Sequence, residues 1–493
     1  LRFFNLVDNL QLKEQQSFYQ SHRDRIQEHF DKIAPERDQW LERNRYYYDD
    51  IESLCRFVIP QGSRVLEIGC GTGQLLHALQ PGYGLGIDLS PALITQARTK
   101  YPNLHFEVMD GASLEVDEPF DYVVLAGTVG YLADVQQAFK QLHRVCASQT
   151  RIIITHYSYL WQPLLNWAES IGQRMPQPAQ NWLSQEDLKN LLALTGFEVI
   201  RQGARFIAPK KIPFVATGIN RYLGRIAPFD QLGLTSYVIA RPAYFQPETL
   251  IDHSYSVSVV IPARNEEGNI ENALRRLPAM GSKTEVIFVE GNSTDHTWDE
   301  IQRLAAVYKD RWDISCFKQS GKGKADAVRK GFAHAKGDIL MILDADLTAP
   351  PEDLPKFYEA LATGRCEFAN GSRLVYPRSY EAMPWLNTVA NKFFGLVFSY
   401  LLDQPFKDTL CGTKVLWRRD YERIVEGRSY FGDFDPFGDF DLLFGAAKLN
   451  LKILDVPVRY QEREYGSSNI AHFREGLILL KMCAYASQKI KFI

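Results

Sequence analysis

The sequence predicts an α/β chain of two successive domains, each a sheet flanked by helices. Three observations lead there. At 493 residues the chain exceeds what one hydrophobic core commonly organises, so two domains of roughly 200–250 residues are expected. Short β-rich runs alternate with helical ones from 64 to 245, lapse, and resume near 256. The composition, 45% hydrophobic and 23% charged, is that of a globular protein with enough apolar side chain to bury both sheets.

The first 60 residues, including QSHRDRIQEHFDKIAPERDQWLERNRYYYDDI, read as charged amphipathic helices, either a solvated cap or a lid over a site in the first sheet. RVLEIG, YGLGID, LHFEVMD, DYVVLAG and RIIITHY are strand-like. QLLHALQ, PALITQARTKY, DVQQAFKQLHRVC and SQEDLKNLLALTGF have helical period. That alternation predicts a parallel sheet with helices on both faces. EVIRQGARFI and SYVIARPA close a first domain over 1–245. Within PAYFQPETLIDHSYS, which has two prolines and no period, residues 246–256 are expected to be a linker. The second domain, 257–493, restarts at SVSVVIPARNEEGNIENALRRL and carries strand-like EVIFVEGNS, DILMILDAD, CEFANGSRL and DVPVRYQ.

Composition excludes several classes. A formal net charge of −3 supplies no field for nucleic acid. Seven cysteines without CxxC spacing argue for reduced thiols and against a disulfide framework or a zinc site. LRFFNLVDNLQLKEQQ lacks the basic start and apolar core of a secretory signal. FFGLVFSYLL and GLILLKMCAYA fall short of the roughly 20 residues of a membrane span. They read as core helices or as helices lying in a membrane interface. The expected location is therefore cytoplasmic, with peripheral contact at the membrane face left open.

The first candidate site is RVLEIGCGTGQ, where Gly69, Gly71 and Gly73 fall between a strand and a helix. Glycine there permits positive φ and close approach of a ligand to the backbone. Asp88 ends the next strand, where a carboxylate can take both ribose hydroxyls, and Asp110 ends the one after. Glu67 precedes the first glycine by two residues, where it could meet a cationic amino group. His156, after the fifth strand, is either a general base or a structural histidine. Over roughly 40–245 this set resembles the class I S-adenosylmethionine-dependent methyltransferases, a Rossmann-like fold. The resemblance implies that the glycine loop and Glu67 cradle the methionine part of S-adenosylmethionine, that Asp88 binds ribose, and that Asp110 meets the adenine amino group.

LMILDADLTAPP poses the second site: an apolar strand runs into Asp344 and Asp346. Strand side chains alternate, so Asp344 and Asp346 are expected to point to one side and Ala345 to the other. Two like charges that close call for a cation, and an all-oxygen pair suits Mg²⁺ or Mn²⁺ bridging to phosphates. SVVIPARNEEGNI, VEGNSTDHTWD, GKGKADAVRKGF and DADLTAPPEDL follow in order, then NGSRL, DTLCGTKVLWRR, FGDFDLLFGAAK and VPVRYQEREYGSSN. This series resembles the family 2 inverting glycosyltransferases of GT-A fold, nearest the dolichol- and polyprenyl-phosphate sugar synthases. The resemblance implies a UDP- or GDP-sugar donor and a glycan or polyprenyl-phosphate acceptor. It places Pro262, Ala263, Arg264, Glu266 and Glu290 around the nucleotide, and Lys322, Lys324 and Arg373 near it or its phosphates. Asp344 and Asp346 would meet nucleotide and metal, and Arg463 and Ser468 would hold phosphate. Asp439 and Asp441 fall on the family's acidic positions; one would be a base for an alcohol acceptor, whereas an ionised lipid phosphate needs none. Thr348, Asn469 and Glu290 depart from the family's usual glutamine, lysine and aspartate. The expectation is a bifunctional enzyme; the alternative is a glycosyltransferase whose first domain only binds or senses a ligand.

Overall fold

The computed structural model describes residues 19–210, 212, 215–226, 229–243, 251–375, 385–430, 439–463, 465 and 472–492. The chain divides into two compact units that part between Ala243 and Tyr244. Residues 251–256, expected in the linker, belong to the second unit. Ser256 donates its backbone N–H to Asp338 at 2.9 Å, Tyr358 donates its hydroxyl to the Asp252 carbonyl at 2.6 Å, and the Tyr255 ring meets Trp417 edge-on at 4.7 Å.

The first unit is built on β1 (Arg64–Ile68), β2 (Tyr83–Asp88), β3 (His105–Val108), β4 (Phe120–Ala126), β5 (Cys146–Tyr157), β6 (Phe197–Arg205) and β7 (Thr235–Pro242). They form one sheet in the order β3-β2-β1-β4-β5-β7-β6. The first five are parallel; the apolar runs of the central β1, β2 and β4 are buried nearly throughout, as in a sheet covered on both faces, while the edge strand β3 is mostly exposed. β7 enters antiparallel between β5 and β6, so the sheet is mixed rather than wholly parallel. An antiparallel partner needs no crossover helix, and the β6–β7 segment is free to do other things.

The second unit has β8 (Val257–Ala263), β9 (Thr284–Glu290), β10 (Asp313–Lys318), β11 (Ile339–Ile342), β12 (Phe368–Ser372), β13 (Lys414–Trp417) and β14 (Ile453–Pro457). The order is β10-β9-β8-β11-β13-β12-β14, with β13 antiparallel to both neighbours. β10 and β13 lie in stretches not assigned as strands from sequence. All seven residues of β9 (TEVIFVE) and all four of β11 (ILMI) are buried, including Glu285 and Glu290 of β9. Each sheet reverses its strand order once beside its first strand, β1/β4 and β8/β11. The crevice outside the carboxyl ends at such a point is where open α/β sheets take ligands.

Candidate active sites

In the first unit the chain leaves β1 through Gly69, Gly71 and Gly73, all at positive φ. A side chain at Gly73 would meet the Phe106 ring at 2.6 Å, and one at Gly69 would strike Thr128. At Gly71 a Cβ would meet only Arg37 Nε, at an ordinary contact distance of 3.9 Å, so this backbone borders the cavity without a close protein neighbour. Asp88 closes the loop: its Oδ2 accepts the Gly71 N–H at 2.9 Å and its Oδ1 the Ser90 N–H at 3.0 Å. Burial raises its carboxyl, opposed by these donors and by Arg37. Asp110 accepts the Ala112 N–H at 2.9 Å and faces the Arg23 guanidinium at 3.8 Å.

Gly69, Gly71, Asp88 and Asp110 line a single cavity of about 570 Å³. Its far wall holds Arg37, Tyr47, Tyr48, Tyr131 and Tyr157, none of them singled out from sequence. Tyr47 and Tyr157 stack at 5.5 Å, and burial raises both phenols, which stay protonated donors. The helix over 19–33 spans the cavity as a lid. Asp31 accepts the Ser90 hydroxyl at 2.5 Å on one rim, while His22 Nε2 meets the Tyr131 carbonyl at 3.1 Å and Tyr19 donates to Asp134 at 3.2 Å on the other. The run RNRYYYDD and the charged amphipathic first helix were the available signal for the Arg37, Tyr47 and Tyr48 part of this wall.

Glu67 and His156 both lie away from the cavity lining, His156 thereby taking the structural of its two readings. Ile68 lines the cavity, and pleat alternation turns Glu67 to the opposite face, where its carboxyl is buried beside Cys55 and Oε2 has no partner. Burial, reinforced by the Asp88 charge, pushes its carboxyl up to about 8 against a Leu76 backbone bond. His156 is likewise buried outside the cavity lining, and burial pushes its imidazole down to about 4. Its neighbour Tyr157 faces the cavity instead.

In the second unit β11 ends at Ile342, and Asp344–Asp346 lie in a turn beyond it. The Leu347 N–H closes that turn on the Asp344 carbonyl at 3.1 Å, with Leu347 at φ +53°. The two carboxylates are thus gathered by a turn, not by strand alternation. Lys324, opening the helix Lys324–His334, pairs with Asp344 at 2.6 Å. Gly412 backs this pair, since a Cβ there would run into both the carboxylate and the ammonium. Arg463 pairs with Asp346 at 2.5 Å and with Glu266 at 3.3 Å. Thr348 donates its hydroxyl to the other Asp346 oxygen at 3.0 Å. Burial pushes Glu266 up to about 7, with Asn269 and Arg463 opposing and Asp346 and Asp344 adding to the rise.

β8 and β9 bring Ala263 opposite Glu290, whose carboxylate accepts the Ser293 N–H at 2.5 Å. Pro262 is half-buried in β8; Arg264, just past it, is exposed, and so is Lys322 in the loop before Lys324. Arg373 pairs with Asp408, which is fully buried and holds its guanidinium at 2.7 and 2.9 Å. Asp441 is buried and clamped by Arg428 at 2.9 Å and Arg329 at 3.3 Å. The Asp439 side chain and Ser468 lie outside the described residues. Among the described residues no group of three or more His, Cys, Asp or Glu side chains could enclose a metal alone.

Comparisons with known proteins separate along the same division. A family model for a methyltransferase domain matches residues 40–202, and one for glycosyl transferase family 2 matches 258–424. A dolichol-phosphate mannosyltransferase of Pyrococcus furiosus is 31% identical over 220 residues, 43% of this chain and 59% of that protein. An undecaprenyl-phosphate 4-deoxy-4-formamido-L-arabinose transferase of Edwardsiella ictaluri is 38% identical over 216 residues, 43% of this chain and 62% of that protein. The chain thus spans about three fifths of the length of each of these relatives. A solved magnesium protoporphyrin IX methyltransferase of Synechocystis has a TM-score of 0.32 at 16% identity, covering 45% of this chain and 99% of that one. The chain joins a methyltransferase domain to a glycosyltransferase domain of family 2.

Proposed function

We propose that the second unit transfers a sugar from a UDP- or GDP-sugar to a polyprenyl phosphate, and that the first transfers a methyl group from S-adenosylmethionine. The observation that carries the sugar-transfer reading is the constellation Lys324–Asp344 and Asp346–Arg463–Glu266 at the strand-order reversal. Oxygen donors and paired cations in one place suit a diphosphate. The donor set also fits Mg²⁺ or Mn²⁺, which Asp344 and Asp346 would hold together with the substrate phosphates. Such an ion, when bound, neutralises charge on the departing nucleoside diphosphate. The protein's part is to orient donor and acceptor for one in-line displacement with inversion, Lys324 and Arg463 being the cations that would meet the donor phosphates.

Asp441 supports the lipid-phosphate acceptor over an alcohol. The Asp441 carboxylate is already engaged by two guanidiniums rather than presented to an acceptor hydroxyl, and an ionised phosphate needs no base. The relatives from Pyrococcus furiosus and Edwardsiella ictaluri carry dolichol phosphate and undecaprenyl phosphate in their names. The helix Trp385–Leu402 exposes Val389, Phe393 and Leu396, and the helix His472–Ala486 exposes Leu477 and Leu480, apolar faces suited to a lipid interface at the cytoplasmic side. No helix among the described residues is long and apolar enough to cross a membrane.

Methyl transfer needs orientation more than acid–base help, because the sulfonium is already a good leaving group. The lidded cavity, with Gly71 bare and Asp88 at its edge, supports this reading. Incubation with a panel of sugar nucleotides, polyprenyl phosphate and methyl donor, followed by mass spectrometry, tests both. A glycosyl phospholipid retaining one phosphate is expected; sugar transfer only to hydroxyl acceptors would overturn the acceptor assignment.

A further inference from the structure

Among the described residues of the first unit, the exposed large apolar side chains fall almost entirely within two segments, 159–171 and 212–232; Val108 and Leu194 are the others. The helix Gln162–Ser170 has no buried residue. Yet Leu160, Leu164, Trp167 and Ile171, at 48, 54, 62 and 49% exposure, recur at spacings that place them on one helical face. The second segment adds Ile212, Val215, Tyr222, Ile226 and Phe229, each more than 40% exposed. The two segments form one surface. Trp161 donates its indole N–H to the Leu232 carbonyl at 2.9 Å, and Lys210 donates to the Gln173 side chain at 2.9 Å, tying the helix at both ends. A contiguous apolar patch of this kind marks a partner.

Charge identifies the partner's chemistry. The stretch FIAPKKIPFVATGINRYLGRI, residues 206–226, contains Lys210, Lys211, Arg221 and Arg225 and no acid, and Asp230 is the single acid in the rest of the segment to 232. Arg225 is buried, while Lys210 and Arg221 are exposed beside the apolar side chains, Arg221 donating its Nε–H to the Phe492 carbonyl at 3.0 Å and Tyr222 meeting the Phe492 ring at 5.6 Å. Glu169, the acid on the helix, is neutralised by Arg174 at 3.4 Å. Aromatic and aliphatic side chains rimmed by cations match the headgroup–acyl boundary of an anionic bilayer. We propose that this face of the first unit docks on an anionic lipid surface. Tyr157 and Met175, which bracket the helix in the chain, both line the cavity. Docking therefore sets that cavity one short segment from the headgroups, where, resting on the methyl-transfer reading of this unit, a lipid-borne acceptor is within reach.

Hydrogen exchange on the full chain tests the docking locally, with phosphatidylglycerol–phosphatidylcholine vesicles as the probe. Slowed exchange in peptides covering 158–172 and 212–232 is expected with anionic vesicles. The surface double variant Leu164→Glu with Trp167→Glu should lose that protection and weaken co-sedimentation about tenfold, while circular dichroism stays unchanged. Binding of the chain to vesicles without protection in these peptides would overturn the proposal. So would protection that appears without lipid, either independent of protein concentration, meaning another part of the chain covers the face, or rising with it, meaning a second copy does. Equal protection by pure phosphatidylcholine would overturn the anionic specificity. Methyl-donor titration of the double variant keeps docking distinct from methyl transfer, since the variant should bind donor normally in every case.

Discussion

Glu67→Gln separates a ligand-binding acid from a buried one. Glu67 is 3% exposed, Oε2 is unpartnered, and its carboxyl sits near 8 in the fold against an ordinary value near 4.5. Between those two values the folded state binds one proton more than the unfolded state, so the contribution of this group to stability is full below about 4.5 and is lost as pH rises towards 8. The slope is at most about 1.4 kcal/mol per pH unit, and over the window the loss is on the order of a few kcal/mol. Glutamine has the shape of the protonated acid and cannot ionise. At pH 5 the variant should match the parent or fall about 1 kcal/mol below it, because the second amide hydrogen also lacks a partner. By pH 8 it should be the more stable, and above that the gap should stop growing. Calorimetric melting from pH 5 to 9 reads the difference, with the transition of the first unit identified by its shift on adding S-adenosylmethionine. Donor affinity at pH 7 should change less than about threefold, since an acid on the face away from the cavity makes no ion pair with the donor. A pH-independent difference in melting, or a hundredfold loss of affinity, would refute the assignment and return Glu67 to the methionine site.

Asp88→Ala should weaken methyl-donor binding about a hundredfold by calorimetric titration, because charged hydrogen bonds are worth roughly 1.5–3 kcal/mol each and the Gly71 N–H loses its acceptor as well. Asp344→Ala with Asp346→Ala should abolish sugar transfer and make any remainder indifferent to EDTA, while donor binding by the first unit persists; loss of that binding would mean the two sites are not independent. Asp441→Asn should slow transfer to a lipid phosphate by less than about tenfold, against the 10²–10⁴-fold expected of a base, and should lower the melting temperature because Arg329 and Arg428 lose their shared carboxylate. His156→Ala should leave methyl-transfer turnover within a few-fold of the parent, since a neutral imidazole outside the cavity moves no proton there.

What the sequence by itself determined is local and periodic. Two alternating strand–helix series announced two α/β units, the glycines of VLEIGCGTG announced a backbone at positive φ, and Asp88, Asp344 and Asp346 announced carboxylates at or just past the carboxyl ends of β2 and β11. These were legible because each depends on a residue type at a fixed short spacing. Tertiary structure decided which face each side chain occupies and what it pairs with. Glu67 and Ile68 are adjacent in sequence, yet only Ile68 reaches the cavity, because the pleat sends neighbours to opposite sides. Arg373 and Asp441 have the charge for a phosphate or a proton, but Asp408 in one case and two arginines in the other already hold them. Arg37 and the four tyrosines become a wall only when the chain before β1 folds across the carboxyl ends of the strands, and pairings across such separations leave no period in the sequence.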